Sequence, residues 1–257
     1  MNSSLKNKIR NFLFFLSQFG INIIKFRNLF YILSFFKDLF KFKTLGGKFD
    51  IIFPILGEHK LNSGNLTPHY FYQDLIVANY IFKKNPAKHV DIGSRVDGFV
   101  SNIASFREVE VFDIRKNDIK FKNIKFNKID ILEIDKTYFN YTDSLSCLHV
   151  IEHFGLGRYG DKIDPQAHII AFRKILQILK SRGILYISFP VCTKGKTFFN
   201  MERRFDPNEI FEWSKDFELI KFDFIDDQEQ IFLNYDLKKI NDNKIENGCG
   251  IYTLIKK

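Results

Sequence analysis

The chain has 257 residues, with 39 Lys and Arg against 30 Asp and Glu. That length accommodates one α/β domain with a small appendage and excludes two full domains. The formal charge of +9 comes without a Lys/Arg-rich stripe interleaved with aromatics, which argues against a nucleic-acid partner. Cys147, Cys192 and Cys249 are odd in number, far apart and without a CxxC, so neither a disulfide framework nor a thiolate metal cage is expected, and a reducing cytoplasm is the compartment that fits.

From the N-terminus, residues 11–24 are charge-free and mostly apolar, preceded by Lys6, Lys8 and Arg10. The run is shorter than the roughly 20 residues a membrane span needs. No small-x-small cleavage site follows it, and Lys25 and Arg27 separate it from the next apolar run, 28–36. Residues 1–48 therefore read as an apolar, basic helical extension, with helices over about 6–24 and 28–43 and with Lys37, Lys41 and Lys43 near its end. Two roles stay open for residues 6–43: covering the domain or a second copy in a homodimer, or peripheral contact with the anionic inner face of a membrane.

Residues 49–257 read as the α/β domain. Gly46-Gly47 and the Gly- and Asn-containing stretch 54–68 punctuate the chain before it. Thr67-Pro68 predicts an N-cap and first helical position for a helix through about 84, with Phe71, Leu75, Ala78 and Phe82 on one side. Strands are then expected at 89–92, 109–114, 124–129, 144–150 and 184–189. A helix over 165–180 is closed by Ser181-Arg182-Gly183 as a C-cap. Asp206-Pro207 opens a further helix to about 215, and apolar segments at 217–224 and 250–255 end the chain. Alternating β and α predict a Rossmann-like, doubly wound, mostly parallel sheet, and the two late strands without an intervening helix predict an antiparallel C-terminal edge pair.

In such a sheet a ligand sits beyond the carboxyl ends of the strands, where strand order reverses. The first strand ends in Asp91-Ile92-Gly93-Ser94-Arg95-Val96-Asp97-Gly98, in which Gly93 and Gly98 let the backbone approach a cofactor and Asp91 faces its ammonium group. Asp113 ends the second strand about twenty residues on, suited to a pair of ribose hydroxyls, with Ile114 to pack on a base. Asp130 follows the third strand, placed for an adenine amino group. The fourth runs into His149-Val150-Ile151-Glu152-His153. This arrangement resembles the class I S-adenosylmethionine-dependent methyltransferases over about residues 67–257, although Arg95 stands where the usual Asp-x-Gly-x-Gly-x-Gly has its second glycine. The resemblance implies S-adenosylmethionine as cofactor, bound by Asp91, Gly93, Ser94, Gly98, Asp113, Ile114, Asp130, His149 and Val150. More closely, His69-Tyr70-Phe71, residues 91–100, Phe112-Asp113-Ile114-Arg115, residues 148–161, Asp164-Pro165 and His168 resemble a methyltransferase-like family of unknown function met in bacterial surface-polysaccharide gene clusters. A sugar or sugar nucleotide is the substrate that context implies.

The Gly155–Asp161 loop follows the fourth strand directly and is expected to overhang the reactive methyl group and shape the substrate pocket. Transfer to a hydroxyl needs a base within hydrogen-bond reach; His153 is the first candidate and His168 the second, with Glu152 beside them. Arg158, Arg203 and Arg204 suit a carboxylate or diphosphate, and Tyr159 and Asp161 complete the expected substrate set. No metal is expected. His89 reads as an ordinary structural histidine. Three other readings compete. His149, Glu152 and His153 match the H-x-x-E-H zinc-hydrolase pattern, which requires a helix that Gly155 and Gly157 disfavour. A nicotinamide oxidoreductase lacks its G-x-G-x-x-G. A non-catalytic binding module in glycan assembly is the third, favoured by Arg95, while Asp91, Asp113 and Asp130 favour the enzyme.

Overall fold

The computed structural model describes residues 3–60, 66–242 and 244–257; the expected turn residues 62–65 lie outside them. The chain divides into two compact units, Met1–Leu66 and Thr67–Lys257, so residues 49–66, read above with the α/β domain, fall with the first.

In the first unit, helix α1 (Ser3–Ser17) and helix α2 (Ile32–Thr44) flank a 3-10 segment, Ile23–Tyr31. The first expected helix is thus cut short. Gly20 adopts φ 76, and the side chain of Asn22 then caps the 3-10 turn by accepting from the Lys25 N–H at 3.3 Å.

The second unit opens with helix α3 (Pro68–Lys84), with Pro68 in its first turn. Thr67 precedes it without a side-chain cap bond. The buried face of α3 is Gln73, Asp74, Val77, Ala78 and Ile81, whereas Phe71, Leu75 and Phe82 are exposed. Of the apolar side expected for this helix only Ala78 is buried; the inward face is rotated from it and carries the polar pair Gln73 and Asp74.

Strands β1 (His89–Ile92), β2 (Val109–Asp113), β3 (Ile124–Lys128), β4 (Thr142–Leu148) and β5 (Leu179–Val191) are mutually parallel. Between β1 and β2 lies the one-turn helix α4 (Ser101–Ala104), and between β4 and β5 lies helix α5 (Ala167–Ile178). A hairpin of β6 (Lys196–Phe198) and β7 (Glu202–Arg204), absent from the sequence reading, follows β5. Helix α6 (Ile210–Trp213) is one turn, shorter than expected. Strands β8 (Phe217–Ile225), β9 (Ile231–Phe232) and β10 (Gly248–Lys256) close the sheet in the order β3-β2-β1-β4-β5-β10-β8-β9, with β10 antiparallel to both β5 and β8. The order reverses between β1 and β4, which fixes where a ligand site forms.

Side-chain alternation along the strands splits the core over the two faces of the sheet. Leu185, Ile187, Tyr252 and Leu254 pack with Phe172, Ile175 and Trp213. Ile184, Tyr186, Cys249 and Ile251 pack with Val77, Ile81, Phe99 and Ile103. The expected glycine C-cap of α5 is not formed. Leu179 is already extended and paired with Thr142, and Arg182 makes the turn at φ 63. Gly183 serves close approach instead, since a Cβ there would lie 2.9 Å from the Lys180 carbonyl oxygen.

Candidate functional site

A pocket opens at the carboxyl ends of β1, β2 and β4, lined by Gly93, Asp113, Ile114, Arg115, Asp130, His149, Val150, His153, Tyr159 and Asp161, with Ile92, Phe112, Ile129, Ile131 and Phe154 as its apolar lining. Of the nine residues expected to hold a cofactor, Gly93, Asp113, Ile114, Asp130, His149 and Val150 line it; Asp91, Ser94 and Gly98 do not.

Asp91 is fully buried, and its loop satisfies it. Oδ1 accepts from the Ser94 and Ser146 hydroxyls, and Oδ2 accepts from the Ser94 N–H. Burial raises its pKa to about 6 against the lowering effect of those bonds. His89 extends the network with ring nitrogens 2.9 Å from Ser144 Oγ and 3.1 Å from Ser146 Oγ. Because the Ser146 proton goes to Asp91, the His89 Nε2–H is the donor to Ser146. Asp91 therefore fixes the shape of the turn from inside. Gly93 is left-handed at φ 64, and a Cβ there would sit 2.9 Å from a Val150 methyl group, so only glycine fits. Arg95, the departure from the glycine pattern, turns outward into a bidentate pair with Asp97 at 3.1 and 2.9 Å and lies outside the pocket lining.

Behind this loop is a buried polar chain that the sequence did not disclose. Asp74, at the position where a Cβ on Gly98 would approach within 2.7 Å of its carboxylate, accepts from Gln73 Nε2 at 3.2 Å. Gln73 Oε1 accepts from the Ser188 hydroxyl at 2.5 Å, and Ser188 Oγ lies 3.4 Å from His149 Nδ1. With the Ser188 proton directed to Gln73, its oxygen faces the His149 Nδ1–H, leaving the Nε2 lone pair of His149 unbonded among the described residues. His149 sits at φ 53, a left-handed strain for a non-glycine residue. It ends β4 two residues earlier than expected, and burial lowers its pKa to about 3. Desolvation lifts Asp74 to about 7.

At the end of β2, Asp113 does not stand open. Oδ1 accepts from the Arg115 N–H at 2.8 Å and Nε at 3.0 Å, and Oδ2 from Nη2 at 2.8 Å. The Arg115 guanidinium then lies 4.6 Å from the centre of the Tyr159 ring. Asp130 caps the turn Ile131–Glu133 by accepting from the Leu132 N–H at 2.9 Å through one oxygen. An ionised carboxylate offers about four acceptor positions, so both side chains keep capacity toward the pocket.

The Gly155–Asp161 loop is held by its own carboxylate. Asp161 accepts from the Gly155 and Gly157 N–H groups at 2.8 and 3.2 Å through Oδ2, and from the Tyr159 N–H at 3.2 Å through Oδ1. Arg203, 6% exposed, donates to the carbonyls of Glu152, Phe154 and Pro165. Both residues, expected to touch substrate, brace the loop. Arg204 is paired with Glu202 at 2.8 Å and with the Glu246 carbonyl, away from the pocket lining. Arg158 donates to the Met201 carbonyl at 3.0 Å and stacks on Tyr159 at 5.3 Å.

His153 donates from Nδ1 to the Met201 carbonyl at 2.7 Å, which leaves Nε2 as the basic nitrogen; burial lowers its pKa to about 4, so it is neutral at pH 7. Glu152 is 1% exposed with neither oxygen hydrogen-bonded among the described residues, and its Oε1 lies 3.8 Å from His153 Nε2. Burial pushes the Glu152 carboxyl well above the usual range. His168 is not in this pocket; its ring packs against Phe205 and Trp213 and borders a separate cleft. The zinc-hydrolase geometry is also missing. His149 stands outside any helix, Ile151–His153 is a single 3-10 turn, and no three His, Cys, Asp or Glu side chains group as metal ligands among the described residues.

Sheet order, switch-point pocket and strand-end carboxylates define a Rossmann-like fold of the methyltransferase type. Among solved structures, the fold is similar to the N-methyltransferase NodS from Bradyrhizobium japonicum WM9 in complex with S-adenosyl-L-homocysteine, at TM-score 0.52 and 10% identity over 75% of this chain and 89% of that one. It is also similar to the (4+2)-cyclase SpnF, at TM-score 0.52 and 12% identity over 70% and 80%. One is a methyltransferase and the other a cyclase, so the fold alone does not name the reaction. Residues 97–257 match the family described as "Caenorhabditis protein of unknown function, DUF268", and the chain belongs to that family. No curated protein matches its sequence.

Proposed function

We propose that the chain is an S-adenosylmethionine-dependent methyltransferase whose acceptor is a sugar or sugar nucleotide destined for a surface glycan. The observation that carries this reading is the pocket at the reversal of strand order, lined by Asp113 and Asp130, which keep acceptor capacity, and by the apolar Ile114, Ile131 and Phe154. Those residues fit a nucleoside: the two carboxylates suit ribose hydroxyls and an exocyclic amine, and the branched side chains suit the faces of a base. The cofactor supplies a sulfonium-activated methyl group.

The chain's own residues would then orient the acceptor and take its proton. His153 lines the pocket with a ring whose Nε2 carries the lone pair; with its pKa lowered to about 4 by burial it is a weak base, but one already in the proton-accepting form at pH 7. Tyr159, with the guanidiniums of Arg115 and Arg158 over its ring, suits a pyranose face next to a diphosphate. The test is incubation with S-adenosylmethionine and a panel of nucleotide sugars, read by mass spectrometry. A methyl gain on one sugar nucleotide, lost in His153→Gln while S-adenosylhomocysteine still binds, supports the reading. Cofactor binding with no methylated product from any sugar would overturn the acceptor class.

A further inference from the structure

The first unit has a physical problem that the second does not: among its described side chains, none is fully buried. Helix α2 turns Phe35 and Leu39 partly inward, yet it leaves a parallel row of Leu33, Phe36 and Phe40 exposed, with Leu33 at 79% and Phe40 at 70%. Phe12, Phe14, Phe15 and Phe19 on and after α1, and Phe26 and Phe30 in the 3-10 segment, are exposed as well, with Phe30 at 85%. So many exposed large apolar side chains in one unit are not left in water, and a unit of this length with no core cannot offset its conformational entropy alone.

Two facts select what covers it. No described helix is long and apolar enough to cross a membrane; α1, at 15 residues, spans roughly 22 Å at 1.5 Å per residue against a hydrocarbon core of about 30 Å. And residues 1–66 hold ten Lys and Arg against three acids, Asp38, Asp50 and Glu58, so this quarter of the chain carries seven of its nine net positive charges. A second copy would bring like charge against like charge. An anionic surface with an apolar interior satisfies both the phenylalanines and the lysines.

We infer that residues 3–48 form an interfacial anchor lying in the plane of an anionic phospholipid surface, with the row Leu33, Phe36 and Phe40 immersed and Lys25, Arg27, Lys37 and Lys41 at the headgroups. The inference does not depend on methyl transfer. The test is co-sedimentation of the full chain with vesicles of phosphatidylcholine alone and of phosphatidylcholine containing about one third phosphatidylglycerol, at low and high salt. Binding at least tenfold stronger to the anionic vesicles, falling with salt, is expected. Lys37→Glu/Lys41→Glu and, separately, Phe36→Ser/Phe40→Ser should each reduce it about tenfold while far-ultraviolet circular dichroism stays unchanged. Equal binding to both vesicles, or none with a dimer in sedimentation equilibrium that Phe36→Ser/Phe40→Ser dissociates, would overturn it; the latter outcome assigns the surface to a second copy.

Discussion

Asp74 is 7% exposed, and the neighbouring Gln73 side chain donates to it. Burial therefore outweighs hydrogen bonding and lifts its pKa from 3.8 to about 7. Because the folded pKa lies above the unfolded one, the folded state holds more protons between about pH 4 and 7, and this group's contribution to stability falls as pH rises through that window. His149 and His153, lowered to about 3 and about 4, act in the opposite sense, so the comparison must isolate Asp74. The unfolding free energy of Asp74→Asn relative to the native chain, from urea titrations, should rise by on the order of 3 kcal/mol from pH 4 to pH 7; a constant difference would show that Asp74 is already ionised at pH 4. Asp113 and Asp130 were legible in the sequence because position after a strand is a local property. The chain from Asp74 through Gln73 to Ser188 and His149 was not, because Gln73 and Ser188 are 115 residues apart. Arg115 was legible as part of a motif, but its grip on Asp113 emerges only from side-chain geometry.

At the scale of elements, the loop after β4 is a built structure. Gly155 stands at φ 75 with no room for a Cβ, which would fall 1.9 Å from the Asp164 carbonyl oxygen. Asp161 gathers three backbone N–H groups, and the β6–β7 hairpin delivers the Met201 carbonyl to both His153 and Arg158. Asp161→Ala leaves those three donors without their acceptor, a loss of about 2 kcal/mol. Tryptic cleavage at Arg158 should then accelerate at least tenfold, with the fold retained by circular dichroism; an unchanged cleavage rate would mean that Arg203 alone holds the loop. The strands were legible from apolar runs between turns, and their limits held to within a few residues except at the early start of β5. The hairpin was not, because Lys196–Phe198 and Glu202–Arg204 are charged and lack alternation. The apolar side expected for α3 is buried only at Ala78, with Phe71, Leu75 and Phe82 exposed, because the inward face carries the Gln73–Asp74 pair of the polar network.

For the whole molecule, alternating strands and helices were enough to anticipate a mostly parallel sheet with antiparallel strands at its C-terminal end, because short connections and right-handed crossovers leave few other arrangements. The same topology brings Gly93, Asp113, Asp130 and His149 to one pocket, though they are spread over more than fifty residues. It also leaves His168, expected near the chemistry, packed against Phe205 and Trp213 and lining a separate cleft. The proposed methyl transfer requires that pocket to accept S-adenosylmethionine. The most direct measurement is isothermal titration of the full chain with S-adenosylmethionine and S-adenosylhomocysteine, beside Asp113→Ala. Micromolar binding of both, reduced at least tenfold in Asp113→Ala, is the predicted result. No heat with either ligand from a folded chain, or equal binding by Asp113→Ala, would contradict it.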